Sequence, residues 1–184
     1  SYKELSIEGA KLANVIGKRC LVFSLCENSI GSVLGYTAFL NHGIVPVLLN
    51  AHLDKGLLQN LLEKYQPSYL WVPETVINEF SDMKVAYSKY QYKLLKTDYQ
   101  KEYEMYPDLC LLLTTSGSTG SPKLVKQSYT NVEVNAKSIV EYLEIDTTER
   151  PISTLPMNYT YGLSIINSHL FVGATILMTD KGLM

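Results

Sequence analysis

The chain has 184 residues, of which 46% are hydrophobic and 18% are charged, and its formal net charge is −2. This composition predicts a folded globular chain, and the absence of a Lys/Arg-rich cluster gives no electrostatic footprint for nucleic acid or for an anionic membrane surface. No apolar stretch reaches the ~18 residues of a membrane span, and the N-terminus lacks the charged-then-apolar pattern of a secretion signal.

Apolar runs alternate with helical patterns in the first part of the chain. The runs have the length of strands and lie at 19–25, 44–49 and 69–72. The helices predicted from apolar spacing lie at 2–17, 28–41 and 54–64. Asn28 or Ser29 can cap the second helix, and Asp54 can cap the third. The alternation is typical of βαβ units, so we predict an α/β fold with three layers and a mostly parallel, doubly wound sheet.

The pattern is less regular between residues 73 and 107. We predict a short helix near 74–80, a short strand near Val85 and a tyrosine-rich surface excursion. The tyrosines lack interleaved Arg and Lys, so we interpret them as half-buried packing residues and not as a platform for bases. The βα pattern then resumes, with strands predicted at 111–113, 124–125, 152–155 and 173–178 and helices at 162–172 and from Ser128 or Thr130.

The cysteines and histidines show no spacing that indicates a redox motif or a metal site. These residues are Cys20, Cys26, Cys110, His42, His52 and His169. The odd number of cysteines and the lack of C-x-x-C favour a reducing compartment, and we expect a cytoplasmic protein. We predict no dedicated metal site, because H-x-x-x-H and H-E-x-x-H spacings are absent.

The predicted strand at 111–113 leads into a stretch of hydroxyl residues, two glycines and a lysine, at 115–123. Glycines allow backbone N–H groups to approach an anion, hydroxyls donate further hydrogen bonds, and the ammonium group supplies countercharge. The spacing is not that of a Walker loop, because Gly117 and Gly120 are three residues apart and Ser121-Pro122 precedes Lys123. By composition alone, the stretch is equally compatible with a flexible linker.

Taken as a whole, residues 115–123 resemble the signature loop of the adenylate-forming superfamily, which includes acyl-CoA synthetases, peptide-synthetase adenylation domains, carrier-protein ligases and luciferases. Other stretches are similar to blocks of this family and occur in the expected order. They are residues 2–5, 40–47, 155–162 and 173–175. The chain departs from the family at Leu124, where glycine is usual, and at Tyr129, where histidine is frequent.

The resemblance implies that a carboxylate attacks the α-phosphate of Mg-ATP to give an acyl-adenylate and pyrophosphate. The acyl group then passes to the thiol of coenzyme A or of a phosphopantetheine carrier, so a small carboxylic acid and an acyl-carrier protein are the implied partners. By motif, the residues that would bind the ATP phosphates are Thr115, Ser116, Gly117, Ser118, Thr119, Gly120 and Lys123. Tyr159 takes the position often held by histidine or phenylalanine beside the acid, and Tyr159 and Gly162 are the implied substrate-pocket residues.

We expect residues 1–184 to be the N-terminal portion of an adenylating domain, with a βαβ subdomain at 1–107 and the phosphate loop with the next βα units at 108–184. The family's Thr-Glu block, its ribose-binding aspartate and its late catalytic lysine would follow residue 184. We therefore assign no catalytic residue and expect the fragment alone to be inactive. A sheet edge left uncovered near 176–178 would favour self-association.

Two alternatives to this interpretation stay open. Gly/Ser/Thr/Lys loops also serve phosphoryl transfer, so a different phosphate-handling enzyme such as a kinase is one alternative. The other is a catalytically incomplete nucleotide- or carrier-binding module that keeps the loop without the chemistry. A serine hydrolase is disfavoured, because the chain contains no G-x-S-x-G motif.

Overall fold

The computed structural model describes residues 1–114 and 123–179. The helices are α1 (Tyr2–Ile16), α2 (Ile30–Asn41), α3 (Lys55–Tyr65), α4 (Tyr129–Leu143) and α5 (Thr160–Val172), with a 3-10 helix at Glu74–Phe80. The strands are β1 (Leu21–Cys26), β2 (Val45–Asn50), β3 (Tyr69–Pro73), β4 (Lys84–Lys89), β5 (Tyr92–Lys96), β6 (Leu109–Thr114), β7 (Leu124–Ser128), β8 (Ile152–Ser153) and β9 (Leu177–Met178). Within this described part, no helix is long and apolar enough to cross a membrane.

Seven strands form one sheet in the order β4-β5-β3-β1-β2-β6-β7. The four central strands, β3, β1, β2 and β6, are parallel. The pairs at both edges are antiparallel. Strands β8 and β9 form a separate two-stranded parallel sheet. The predicted three-layer α/β fold with a mostly parallel sheet is therefore confirmed, and the antiparallel pairs at the edges make the sheet mixed. β6 and β7, which follow residue 107, belong to the same sheet as the earlier strands.

The central strands are apolar on both faces because helices cover both sides of the sheet. On one face, Phe23 and Leu25 of β1 pack in a cluster that includes Leu58 of α3. On the other face, Val22 packs in a cluster with Leu12 of α1 and residues of α2. Parallel strands buried on both faces read as continuous apolar runs, and this is why β1 and β2 could be predicted from the sequence.

Short polar side chains fix where the helices begin. Ser29 caps α2 by accepting a hydrogen bond from the Ser32 amide at 3.4 Å, and Asp54 caps α3 in the same way. Ser128 caps α4, so the alternative cap Thr130 is wrong and lies inside the helix. Asn28, the alternative cap for α2, has a different role, described below.

The prediction for residues 73–107 missed one strand. β4 and β5 form an antiparallel hairpin, and β5 pairs with β3 at the edge of the sheet. The hairpin turns at Tyr90 and Gln91, whose φ angles are +49° and +60°. Such turns usually contain Asn or Gly, so the sequence carries no turn signal at this point.

The strands predicted at 152–155 and 173–178 are shorter than expected. Both are reduced to two residues, Ile152–Ser153 and Leu177–Met178, which pair with each other. They do not extend the seven-stranded sheet. Self-association at this edge stays a prediction.

Candidate functional site

The candidate phosphate-binding stretch joins the ends of two neighbouring strands. β6 ends at Thr114 and β7 begins at Leu124, and these two residues face each other in the antiparallel register. Because β6 runs parallel to β2, Thr114 lies at the carboxyl edge of the central strands. Open α/β sheets bind their ligands at this edge. The site predicted from the motif is therefore attached where such a fold binds ligands.

The residues of the motif fall mostly outside the described part of the chain. These residues are Thr115, Ser116, Gly117, Ser118, Thr119 and Gly120. Lys123 is described and lies exposed, immediately before β7. Their assignment to the ATP phosphates stays a prediction.

The Glu27 carboxylate, in the loop after β1, contacts residues in the loops that follow β2 and β3. Glu27 follows β1, and its Oε1 accepts a hydrogen bond from the Thr75 hydroxyl, which lies after β3. The same Oε1 lies 3.7 Å from Nε2 of His52, which follows β2. The backbone N–H of Glu27 donates to the hydroxyls of Ser32 and Tyr92, at 3.0 and 3.1 Å. The loops that follow β1, β2 and β3 thus meet at the Glu27 carboxylate.

The next residue, Asn28, forms hydrogen bonds between the carboxyl edge of the sheet and the distant segment 153–157. Its Nδ2 donates to the carbonyl oxygens of Ser153 and Leu155, at 3.2 and 3.0 Å. Its Oδ1 accepts a hydrogen bond from the Met157 amide at 3.2 Å. Met157 is itself buried, in a cluster that includes Leu48 of β2. Segment 153–157, which leads into α5, is thus held at the end of β1 by hydrogen bonds and by packing.

The two predicted substrate-pocket residues lie directly after this segment. Tyr159 is the N-cap residue of α5, and its side chain is 49% exposed and makes no capping hydrogen bond. Gly162 is buried in the first turn of α5. A Cβ atom at Gly162 would lie 2.3 Å from the carbonyl oxygen of Pro156 and 2.8 Å from that of Leu155. Glycine is required here because the helix and the segment approach each other backbone to backbone.

A cavity of about 320 Å³ adjoins the start of α5. Its apolar wall includes Leu111 and Leu113 of β6 and Leu163 of α5. Its polar lining comes mainly from amide and hydroxyl side chains, namely Gln127, Asn131, Asn135, Thr160, Ser164 and Asn167. Six of the ten lining residues carry polar side chains, so this cavity is more polar than most small-molecule sites and offers hydrogen-bonding groups to a polar ligand.

Two buried cysteine thiols lie on the central strands, Cys26 at the end of β1 and Cys110 near the start of β6. Burial raises the pKa of the Cys26 and Cys110 thiols to about 12, so neither is a thiolate near neutral pH. Among the described residues, no group of three His, Cys, Asp or Glu side chains could hold a metal ion. Asn158 is buried, and its Oδ1 has no hydrogen-bond partner in that same part of the chain. The described residues around the cavity contribute mainly amide and hydroxyl groups, which can bind and orient a ligand.

The two residues that depart from the family pattern both have structural roles. The Tyr129 hydroxyl donates to the carbonyl oxygen of Leu40 at 2.9 Å, which joins α4 to the end of α2. Leu124 packs against the core on the face of the sheet that α3 covers. Both residues thus contact parts of the fold outside the motif 115–123, Tyr129 through a hydrogen bond and Leu124 through packing.

A family model described as AMP-binding enzyme matches residues 1–184, which is the whole chain. The chain belongs to the AMP-binding enzyme family. The resemblance of residues 115–123 to the adenylate-forming superfamily is thereby confirmed.

Curated relatives of this AMP-binding chain include a CoA ligase and an acyl-CoA synthetase. It is 29% identical over 168 residues to a 2-succinylbenzoate–CoA ligase from Enterococcus faecalis, covering 89% of this chain and 34% of that protein. It is 26% identical over 219 residues to fatty acyl-CoA synthetase A from Dictyostelium discoideum, covering 96% and 32%. The chain thus spans about a third of the length of these relatives. Ligases of carrier proteins are also among the proteins that it matches.

Solved structures of related enzymes show the same fold. The O-succinylbenzoate coenzyme A synthetase of Bacillus subtilis, solved in complex with ATP and magnesium ion, superimposes with a TM-score of 0.72. The match covers 98% of this chain and 51% of that one at 22% identity. At this identity, the likeness establishes the fold of the AMP-binding chain.

Sequence reasoning missed the polar contacts that organise the carboxyl edge. Glu27 meets His52 and Thr75, and Asn28 meets segment 153–157, across separations of 25 to 129 residues. Neither contact has a local sequence signal. In the sequence, the residues that follow β1 indicate only the start of a helix.

Proposed function

We propose that the protein containing this chain is an ATP-dependent ligase that activates a carboxylic acid. A carboxylate oxygen attacks the α-phosphorus of ATP, the bond from that phosphorus to the oxygen bridging to the β-phosphate breaks, and pyrophosphate leaves. The resulting acyl-adenylate then acylates a thiol of coenzyme A or of a phosphopantetheine carrier, with AMP as the leaving group. The observation that carries this proposal is the family match over the whole chain, 1–184.

The residues proposed to bind the ATP phosphates are those of the motif at 115–123. Backbone N–H groups at Gly117 and Gly120 and the neighbouring hydroxyls would donate to the β- and γ-phosphates, and Lys123 would add a charge-assisted contact or anchor the loop. The position of Thr114 and Leu124 at the carboxyl edge supports this assignment. Mg²⁺ would arrive with ATP and neutralise part of the phosphate charge.

The acid is proposed to bind near the start of α5. This location is supported by the motif positions of Tyr159 and Gly162, which lie at the start of α5 beside Thr160 and Leu163 of the cavity lining. The cavity between α4, α5 and the sheet, about 320 Å³ in volume, can accommodate a small acid. In this proposal, residues 1–184 mainly position ATP and the acid relative to each other. Orientation alone can supply a large part of a rate enhancement.

The test is ATP–pyrophosphate exchange by the whole protein, with a panel of fatty, aryl, hydroxy and amino acids. We expect at least one class of acid to support exchange. A different phosphate-handling enzyme, or a module without chemistry, would give no acid-dependent exchange with any of them. That result would refute the proposed function.

Variants of the motif test the assignment of the phosphate-binding residues. Gly117→Val and Gly120→Val should abolish exchange, because a side chain blocks the approach of the backbone to phosphate. Lys123→Ala should cost about 1.5–3 kcal/mol of transition-state binding, or roughly ten- to two-hundred-fold in rate, if its contact is direct. Thermal unfolding of the same preparations should be unchanged. If residues 115–123 were only a linker, the valine variants would keep near-normal exchange.

A further inference from the structure

We propose that Asn28 is a positioning residue of the adenylation reaction. Its side chain holds segment 153–157, and with it the start of α5, in a defined place at the carboxyl edge of the sheet. This inference rests on the proposed function, because it assigns the acid to the start of α5. The inference adds to the proposed site a residue, Asn28, that lies far from the motif 115–123 in the sequence.

The amide of Asn28 uses both of its polar ends on the same segment. Nδ2 donates to Ser153 O and Leu155 O, and Oδ1 accepts from the Met157 amide. A primary amide can make this set of bonds because it combines two donor hydrogens with an acceptor. Both polar atoms of the Asn28 amide are engaged by segment 153–157, so we assign the residue a role that acts on the site through this segment.

The segment has little other polar attachment to the main sheet. β8 is two residues long and pairs with β9, outside the seven-stranded sheet. Among the described residues, no backbone hydrogen bond joins 153–157 to that sheet. The buried Met157 side chain is a second attachment of the segment. Hydrophobic packing is non-directional, however, whereas hydrogen bonds depend on direction and therefore fix how the backbone of the segment is oriented. The hydrogen bonds of Asn28 therefore define the register of the segment on the sheet.

Asn28 is itself held on both sides. Glu27, the residue before it, contacts Thr75 and His52, and Ser29, the residue after it, caps α2. These contacts restrain the backbone on either side of Asn28. A displacement of 153–157 would be passed on to α5, because Pro156 O lies against Gly162. Asn28 thus connects the rigid carboxyl edge with the helix that carries Tyr159.

Asn28→Ala removes all of the hydrogen bonds, whereas Asn28→Asp keeps the shape and the acceptor but loses the two donors. In the aspartate variant a carboxylate oxygen would also face the carbonyl oxygens of Ser153 and Leu155. We expect kcat/KM for the acid to fall about ten- to a hundred-fold in both variants, because a misplacement of about 1 Å has effects of that size. The KM for ATP should stay within about threefold of the wild-type value. Asn60→Ala, an exposed asparagine on α3, is the matched control and should leave both parameters unchanged.

Hydrogen exchange provides a measurement that does not depend on activity. The Met157 amide should exchange faster in Asn28→Ala but stay protected in Asn28→Asp, which keeps the acceptor, while amides of β1 and β2 stay protected in both. Unchanged protection of Met157 in Asn28→Ala would overturn the inference, as would wild-type kinetics or equal losses for ATP and for the acid. If no acid supports exchange by the wild-type protein, the proposed function fails and the positioning role falls with it, even where the hydrogen-exchange result holds.

Discussion

Replacing Gly162 by alanine tests whether the close approach at the start of α5 is required. Gly162 is buried, and its Cβ would lie 2.3 Å from Pro156 O and 2.8 Å from Leu155 O. Both contacts are with backbone atoms, which cannot rotate away as the end of a side chain can. Since ordinary contacts between these atom types are above 3 Å, the helix and segment 153–157 must separate by about 1 Å.

Two effects on stability oppose each other in this variant. Overpacking in a buried position typically costs about 1–3 kcal/mol. Alanine in a helix is favoured over glycine by about 1 kcal/mol. We therefore expect the free energy of unfolding to fall by about 0–2 kcal/mol. The expected effect on activity is larger, about a hundredfold in acid-dependent exchange, because the shift of about 1 Å falls on the proposed acid site.

The assay is acid-dependent pyrophosphate exchange together with urea unfolding on the same preparations. Gly56→Ala is a matched control, since Gly56 also lies in the first turn of a helix but meets only the Asp54 side chain, at 3.3 Å. The control should keep wild-type exchange. Wild-type activity and stability in Gly162→Ala would show that the backbone contact is not required and would refute the reasoning.

Two further predictions concern the core and its thiols. A Cβ at Gly35, inside α2, would lie 2.4 Å from the buried Trp71 ring, so Gly35→Ala should lower the free energy of unfolding by about 0–2 kcal/mol once the helix preference of alanine is counted. With Trp71→Phe the two losses should be less than additive in a urea double-mutant cycle, and strict additivity would contradict the contact. Burial raises the pKa of the Cys26 thiol to about 12, so the folded state holds this proton more tightly than the unfolded chain, and stability should be lost as pH rises above about 9. Between about pH 8 and pH 10 the free energy of unfolding should fall by about 1 kcal/mol more in the wild type than in Cys26→Ala, and equal slopes would show that the thiol is not buried as described.

Several parts of the molecule could be predicted from local sequence. β1 and β2 are continuous apolar runs because helices cover both faces of the sheet, and α2 and α3 start at side chains that bond to the first free amides of a helix. The motif at 115–123 indicated the family, which the match over the whole chain confirmed. Its contacts with ATP stay a prediction.

The sequence by itself thus determined the parallel units, the starts of α2 and α3 to within one residue, and the family, since each depends on periodicity or on residues close together in the chain. The tertiary structure decided what depends on distant segments. It placed β5 beside β3 through a turn without Asn or Gly, because burial of Tyr92 and Leu94 outweighs the cost of that turn. It also brought Asn28 to segment 153–157, across 125 or more residues, because the amide satisfies backbone groups that the short β8 leaves unpaired.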